Sequence, residues 1–170
     1  CLQAHYRSEL EFSWEGLGAA LTRLKRTVMA VTQLKERAEP AQVSGPKFSP
    51  LLDRFDAAMS DDLNMPVALT VFEEALALKK ADAGEKLAAL AAMDAVLGLN
   101  LLDLDRADLR IRPKVAAIAE EEIEATLARR KDARAARDFA LSDALRDELA
   151  ARGVDVMDGD PLGWEWNLVG

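Results

Sequence analysis

A dense group of cations lies in the last third of the chain. Residues 129–137 hold five of them against the single Asp132, and the five are Arg129, Arg130, Lys131, Arg134 and Arg137. Compensation of a helix dipole explains one or two cations at a helix C-terminus, but not five. The density favours an anionic partner, for which phosphate is the natural candidate. The alternative is a solvated helix face.

An aromatic ring and a carboxylate follow this group of cations. Phe139 comes two residues after Arg137, and Asp143 is four residues further on, which places both on one face of a helix. A ring beside guanidinium groups can stack on an unpaired RNA base, and a carboxylate can accept hydrogen bonds from the N–H groups of a base. The alternatives are structural: Phe139 in the core or at a helix start, and Asp143 in an ion pair with Arg146 or Arg137.

Catalytic signatures and metal-ligand patterns are absent from the sequence. Gly16 and Gly18 lie inside a predicted helix and lack the third glycine of a phosphate-binding loop. One cysteine, Cys1, and one histidine, His5, can build neither a zinc site nor a disulfide framework. We therefore expect no catalytic residue, no metal site and no cofactor in these residues.

The composition predicts a folded, mainly helical protein. Hydrophobic residues make up 50% of the 170 residues, charged residues 31% and aromatic residues 5%, and the abundant Ala and Leu are strong helix formers. The net charge of −8 argues against binding nucleic acid by bulk charge, so any RNA contact needs a local patch. The sequence shows neither a membrane-length apolar run nor a signal peptide, and it predicts a cytoplasmic protein.

Four amphipathic helices are predicted before residue 99. The first follows Ser13 as its cap, Gly84 separates the third from the fourth, and Gly98 ends the fourth. Apolar residues recur along the first helix at steps of four and three, and they are Leu17, Leu21, Leu24, Val28 and Val31. The short joints between the helices predict an antiparallel bundle.

A second, smaller module is predicted after residue 112. Acidic residues interrupt the leucines over residues 99–112, so we divide the chain into a helical bundle with its linker, residues 1–112, and a module of residues 113–170. The module should contain a long helix from Pro113 to about Arg137, a second helix after the cap Asp138, and a short β-hairpin that turns at Asp158-Gly159. The predicted fold class is mainly α, with an antiparallel helical bundle followed by a small α+β module of two helices and a hairpin.

The cation-rich segment also carries a family resemblance. The run RRKDARAARDFALSDALRDEL, residues 129–149, resembles the C-terminal region of cysteinyl-tRNA synthetases. Residues 153–159, with Gly163 and Trp166, continue the match. Two earlier blocks, residues 5–12 and 55–69, stand in the family's order and roughly its spacing. The resemblance covers most of the chain.

The resemblance implies a bundle of the DALR type followed by an anticodon-binding module that recognises the anticodon GCA of tRNA-Cys. The matching positions are Arg134, Asp143 and Asp158 for base edges, and Phe139, where relatives often have Trp, for stacking. We expect the cations Arg129, Arg130 and Arg137 to hold phosphates.

The resemblance also implies a partner for these residues within one enzyme. Family members carry a Rossmann-type N-terminal catalytic domain with ATP-binding signatures and a zinc ion, and none of those signatures occurs here. The chain, which does not begin with Met, is then expected to be a piece of a longer monomeric protein. Its partners would be tRNA-Cys and its own catalytic domain, and ATP and zinc are expected in the full-length enzyme.

Two other interpretations stay open. The cysteine-ligating enzyme of mycothiol biosynthesis resembles this family, but it has no use for an anticodon, so the tail from Arg134 to Trp166 argues against it. A free-standing, non-catalytic helical module that acts on RNA or on a protein is the other alternative. A gene that encodes only these residues, with its own start codon, would favour the free-standing module, and nucleotide-binding signatures encoded upstream of Cys1 would settle the family.

Overall fold

The computed structural model describes residues 2–39 and 45–167, and the chain divides into two compact units, Cys1–Asp105 and Arg106–Gly170. The described residues form six α-helices, one short 3-10 helix and a two-stranded antiparallel sheet, which confirms the predicted fold class. The elements are α1 Trp14–Lys35, α2 Ser49–Ser60, α3 Met65–Ala77, α4 Ala83–Leu97, the 3-10 helix Ala107–Leu109, α5 Glu120–Ala135, α6 Phe139–Ala151, β1 Val154–Val156 and β2 Trp164–Trp166.

Three predicted helix boundaries are present in the structure. The Ser13 hydroxyl accepts a hydrogen bond from the Gly16 amide at 3.0 Å, which begins α1, and the Asp138 carboxylate caps α6 through the Leu141 amide at the same distance. Gly98 ends α4 in the left-handed conformation with φ of 65°. These local signals act as expected because each satisfies backbone groups that a helix end leaves without a partner.

The predicted role of Gly84 is wrong, because this glycine lies in the first turn of α4 instead of between two helices. Asp82 is the N-cap of α4, and its carboxylate accepts a hydrogen bond from the Glu85 amide at 2.9 Å. The physical reason is that an Asp side chain supplies the acceptor that the helix start needs, whereas glycine has none to offer.

The core of the first unit lies among α2, α3 and α4. Its large buried side chains come from these helices and from the residue before α2, and they are Phe48, Phe55, Phe72, Leu90 and Met93. The apolar stripe of α1 is fully buried only in its second half, at Val28 and Val31. At the start of the helix Trp14 is 79% exposed and Leu17 is 52% exposed.

Two of the sequence blocks that carry the resemblance meet in this unit. The Tyr6 hydroxyl donates a hydrogen bond to the Asp62 carboxylate, and Arg7 donates a second one at 3.1 Å. Asp62 and Leu63 form the turn between α2 and α3, both with positive φ, at 57° and 53°. The segment before α1 is thereby attached to a turn more than fifty residues away in sequence.

The predicted long helix from Pro113 is wrong in its first two turns, because α5 begins at Glu120. Ala119 is its N-cap, with extended backbone, and Val115, which lies within the predicted helix, is 91% exposed. The start at Glu120 has a physical reason: three acidic residues in the first turn are stabilised by the positive end of the helix dipole. The preceding segment instead buries Ile118 in the core of the second unit.

The core of the second unit is built on the hairpin. Val154 pairs with Trp166 and Val156 with Trp164 across the two strands. The buried residues of this core are Ile118, Ile123, Leu149, Val154, Trp164 and Trp166. The two indole rings meet edge to face, 5.4 Å apart, and the Trp164 Nε1 donates a hydrogen bond to the Glu124 carboxylate at 2.6 Å. The hairpin is therefore attached to α5, and its loop, residues 157–163, lies in the same unit as α5 and α6.

Residues 106–112, which were predicted to belong to the linker of the first module, group with the second unit. The reason is the Arg106 side chain, which is 8% exposed and pairs with Asp160 and Glu165 of the hairpin. Contacts over more than fifty residues of sequence decide this grouping.

None of the helices in the described residues has the length and apolarity needed to cross a membrane.

Candidate nucleic-acid interface

The turn between α5 and α6 sets the spacing of the candidate residues. Arg137 follows the end of α5 with φ of 59°. Its amide donates to the Arg134 carbonyl at 3.0 Å, and the Asp138 amide donates to the Ala133 carbonyl at 2.8 Å. This pair of bonds is the Schellman ending of a helix, in which glycine is the usual residue at the left-handed position. Asp138 then caps α6 directly, so that Phe139 is the first residue of the next helix.

Asp158, in the loop of the hairpin, binds two arginines of α5. Arg130 binds it in a bidentate manner, with Nη1 to Oδ1 at 2.8 Å and Nη2 to Oδ2 at 3.0 Å. Arg134 adds a third hydrogen bond, from Nη1 to Oδ1 at 3.2 Å. The structure thus brings Asp158, in the hairpin loop, onto the same side of the unit as the arginines of α5.

The charges around Asp158 act on each other. The hydrogen bond from Arg130 holds the pKa of the Asp158 carboxyl below its usual range, and the positive charges of Arg134 and Arg146 lower it further. The hydrogen bond to Asp158 raises the pKa of Arg130, and the negative charge of Asp143 contributes in the same direction. We call the group of Asp158, Arg130, Arg134, Asp143 and Arg146 the Asp158 cluster.

Arg130 differs from the other arginines of the segment. Its side chain is 8% exposed, whereas that of Arg134 is 50% exposed and Arg129 and Arg137 are also exposed. Both terminal nitrogens of Arg130 bind Asp158, and its Nε is buried without a hydrogen-bond partner among the described residues. Its burial and its two hydrogen bonds suit a side chain that holds Asp158 in place. The sequence pattern did not indicate this role.

Phe139, which lies in the sequence between Arg134 and Asp143 of the Asp158 cluster, has an accessible ring. It is 62% exposed and therefore does not lie in the core, a position that the sequence left open as an alternative. Asp143, one turn further along α6, is also exposed. An open aromatic face and an open carboxylate on the same helix are the groups needed to stack on a base and to accept its N–H groups.

Arg146 was considered in the sequence only as an ion-pair partner of Asp143. In the structure it is exposed on α6, and its charge acts on Asp158. The signal that could have indicated this role is its spacing, because Arg146 is seven residues after Phe139 and therefore lies on the same helix face.

Within residues 2–39 and 45–167, His, Cys, Asp and Glu do not gather in a group that could hold a metal ion.

The chain is similar in sequence to proteins of one known family. Residues 119–161 match the family model of the cysteinyl-tRNA ligase anticodon binding domain. A cysteine–tRNA ligase of Novosphingobium aromaticivorans is 74% identical over 99% of this chain and 34% of the relative. The cysteine–tRNA ligase of Zymomonas mobilis is 47% identical over 98% of the chain and 38% of its own length, and that of Brevibacillus brevis is 35% identical over 97% and 37%.

The chain thus spans little more than a third of the length of the curated relatives that it matches. The family match over residues 119–161 begins just before α5 and extends to the hairpin loop. It therefore contains the whole Asp158 cluster and Phe139. The chain corresponds to the C-terminal region of cysteinyl-tRNA synthetases and contains their anticodon-binding domain.

Proposed function

We propose that the chain binds tRNA-Cys by its anticodon and serves aminoacylation performed by a catalytic domain outside these residues. The observation that carries the proposal is the Asp158 cluster together with the exposed ring of Phe139, one turn before Asp143 on α6. The cluster offers exposed carboxylate and guanidinium groups, Phe139 offers a stacking ring, and all of them lie within the matched anticodon-binding domain.

Each residue of the proposed interface has a chemical role. Phe139 stacks on an anticodon base, while Arg134 donates to base edges and Asp143 accepts from them. Asp158 accepts two hydrogen bonds at Oδ1 and one at Oδ2, which leaves Oδ2 able to accept a further one from a base. Arg129 and Arg137, both exposed, hold phosphates.

Arg130 has a different role in this proposal from the phosphate contact expected from the sequence. Its bidentate pair with Asp158 orients that carboxylate, because a planar guanidinium fixes both oxygens at once. Removal of Arg130 would leave a partly buried carboxylate without its main partner. Arg130 therefore contributes to recognition through Asp158.

The remaining parts of the proposal concern the whole enzyme. Its catalytic domain would supply cysteine activation with ATP and would hold the zinc ion, and it is the protein partner of this chain. We propose a monomeric enzyme in the cytoplasm. The mycothiol-pathway alternative has no use for an anticodon-binding domain, and the match over residues 119–161 argues against it.

The first test is a binding measurement with the 170-residue chain. Fluorescence anisotropy would compare a labelled tRNA-Cys transcript with the same transcript carrying a replaced anticodon. We expect the wild-type chain to prefer the GCA anticodon. Asp143→Ala should cost about 1–3 kcal/mol of binding to tRNA-Cys and little with the replaced anticodon, because it removes an acceptor for base N–H groups.

Glu148→Ala is the matched control for this test. Glu148 is also an exposed carboxylate of α6, but it is five residues after Asp143 and therefore lies on a different face of the helix, outside the Asp158 cluster. Its removal changes the net charge as much as Asp143→Ala does and should leave the preference for GCA intact. Equal binding of the two transcripts by the wild-type chain would show that the proposed function is wrong.

A further inference from the structure

The hairpin loop that carries Asp158 is contacted by a segment that the sequence presents as a linker. Arg106 lies at the start of this segment, and its guanidinium is buried against the loop. Its Nε donates a hydrogen bond to the Asp160 Oδ2 at 2.9 Å, and its Nη2 donates one to the Glu165 Oε2 at 2.8 Å. The same Nη2 lies 3.9 Å from the Met157 sulfur.

A second arginine of the segment contacts the end of the loop. Arg110 donates a hydrogen bond from Nη2 to the Leu162 carbonyl at 3.2 Å. Its guanidinium carbon lies 3.8 Å from the centre of the Trp164 ring, at the start of β2. The 3-10 helix Ala107–Leu109 separates the two arginines and presents both to the hairpin.

Asp160, which Arg106 binds, also forms hydrogen bonds with the backbone of the loop. The Asp160 carboxylate, bound by Arg106, also accepts a hydrogen bond from the Leu162 amide at 2.9 Å. The Asp160 amide donates to the Met157 carbonyl at 3.3 Å, and the Gly163 amide donates to the Asp160 carbonyl at 2.9 Å. Asp158 therefore lies in the chain between two residues, Met157 and Asp160, that Arg106 contacts directly.

We propose that Arg106 is a positioning residue for RNA recognition, which fixes the hairpin loop so that the Asp158 carboxylate stays within reach of Arg130 and Arg134. The inference rests on the proposed function and extends it to a residue outside the matched domain. The loop is held from two sides: Arg106 binds the residues that flank Asp158, and the arginines of α5 bind Asp158 itself.

A purely structural role for Arg106 makes a different prediction from a positioning role. A structural ion pair stabilises the second unit, and its weakening changes stability without any special relation to Asp158. A positioning residue acts through Asp158, so its effect on RNA binding depends on that carboxylate being present. Coupling between the two positions therefore separates the roles.

The experiment is a double-mutant cycle with Arg106→Lys and Asp158→Asn, using the 170-residue chain and the two tRNA transcripts. Lysine keeps the charge but cannot reproduce the directed bonds of Nε and Nη2. We expect Arg106→Lys to weaken tRNA-Cys binding about tenfold, a change of about 1.4 kcal/mol, and to leave binding of the replaced anticodon unchanged. In the Asp158→Asn background, Arg106→Lys should have no further effect.

Two further variants complete the design. Arg112→Lys, at an exposed arginine of the same segment, is the matched control and should bind like the wild type. Asp160→Asn removes the loop partner of Arg106 and should show the same dependence on Asp158, which keeps the test open if Arg106→Lys fails to fold. Circular dichroism would establish that each variant is folded at the temperature of the binding measurement.

The outcomes are distinguishable. Equal weakening by Arg106→Lys in both backgrounds, or no weakening at all, would overturn the positioning role. No effect of Asp158→Asn on tRNA-Cys binding would instead contradict the proposed function. The positioning role is then decided without RNA by NMR titration of Asp158: Arg106→Lys should raise the pKa of this carboxyl towards its ordinary value, and an unchanged pKa would overturn the inference.

Discussion

At the scale of single residues, Asp158 is the most heavily bonded side chain of the proposed interface. It accepts three hydrogen bonds from two arginines while remaining 44% exposed. A carboxylate in this position orients the arginines and is oriented by them, so its charge matters both for the stability of the second unit and for RNA binding. Its protonation should therefore be visible in both properties.

The first prediction concerns pH. The pKa of Asp158 is lower in the folded chain than in the unfolded one, chiefly because of the hydrogen bond from Arg130. A group with a lowered folded pKa stabilises the protein above its unfolded pKa, about 3.9, and this stabilisation is lost as the pH falls through the folded pKa. The free energy of unfolding should therefore be higher for the wild type than for Asp158→Asn at neutral pH.

The measurement is urea unfolding of both proteins between pH 7 and pH 2.5. The difference between them should be constant at neutral pH and should shrink below about pH 4, because the protonated wild-type side chain then resembles Asn. Glu122, whose pKa Arg152 lowers, shifts both proteins equally and cancels in the difference. A difference that grows on acidification would contradict the assignment.

The sequence could predict some of these residue environments and not others. Helical spacing placed Phe139 and Asp143 on one face of a helix, and both side chains are exposed there. Burial of Arg130 could not be read from the sequence, because it depends on a partner 28 residues away in the hairpin loop. Arg106 was placed in a linker for the same reason, since its partners lie more than fifty residues away.

At the scale of elements, the α5–α6 turn is the feature that arranges the interface. Arg137 occupies the left-handed position of the turn, which costs a residue with a side chain about 1–2 kcal/mol relative to glycine. An exposed arginine at this position, between the helices of Arg134 and Asp143, which we propose to contact base edges, is consistent with the proposed phosphate contact. Arg137 would then have two effects: it lowers the stability of the turn and it supplies a positive charge for the proposed phosphate contact.

The second prediction is that Arg137→Gly changes stability and RNA binding in opposite directions. The free energy of unfolding should rise by about 0.5–1 kcal/mol, because glycine removes the strain of the left-handed conformation but loses more backbone entropy on folding. Affinity for tRNA should fall, because a cation is lost. Arg129→Gly is the matched control: Arg129 lies inside α5, where glycine should lower stability by about 1 kcal/mol. Equal destabilisation by both substitutions would contradict this account of the turn.

Helix ends were predictable from the sequence only where one side chain decides them. Ser13, Asp138 and Gly98 act locally, through a cap or a left-handed residue, and their positions are as expected. The start of α5 was not predictable in this way. Pro113 is compatible with a helix start, but burial of Ile118 in the hairpin core holds the preceding segment in another conformation.

At the scale of the whole molecule, the charge balance restricts how RNA can bind. The chain has 30 acidic and 22 basic residues, which give the net charge of −8. Its net negative charge therefore repels phosphates at long range, and in the proposed function the attraction comes from a local group of exposed cations around the α5–α6 turn. The total charge indicated from sequence alone that such a patch was needed, but not which of its cations are exposed.

The third prediction concerns salt. Arg129→Gln should weaken binding of both tRNA transcripts alike and should reduce the slope of log affinity against log salt by about one, because one phosphate contact is lost. The preference for the GCA anticodon should stay as in the wild type. Anisotropy titrations between low and moderate salt concentrations would measure both quantities. A change in anticodon preference without a change in slope would place Arg129 at a base edge instead.

The three tryptophans are distributed so that intrinsic fluorescence can report on each unit separately. Trp14 is in the first unit and 79% exposed, whereas Trp164 and Trp166 form a buried pair in the second unit, 1% and 3% exposed. Replacement of the exposed indole by phenylalanine would leave emission from the hairpin pair alone. A red shift during denaturation would then follow the opening of the anticodon-binding unit, while circular dichroism, dominated by the helices of both units, would follow the whole chain.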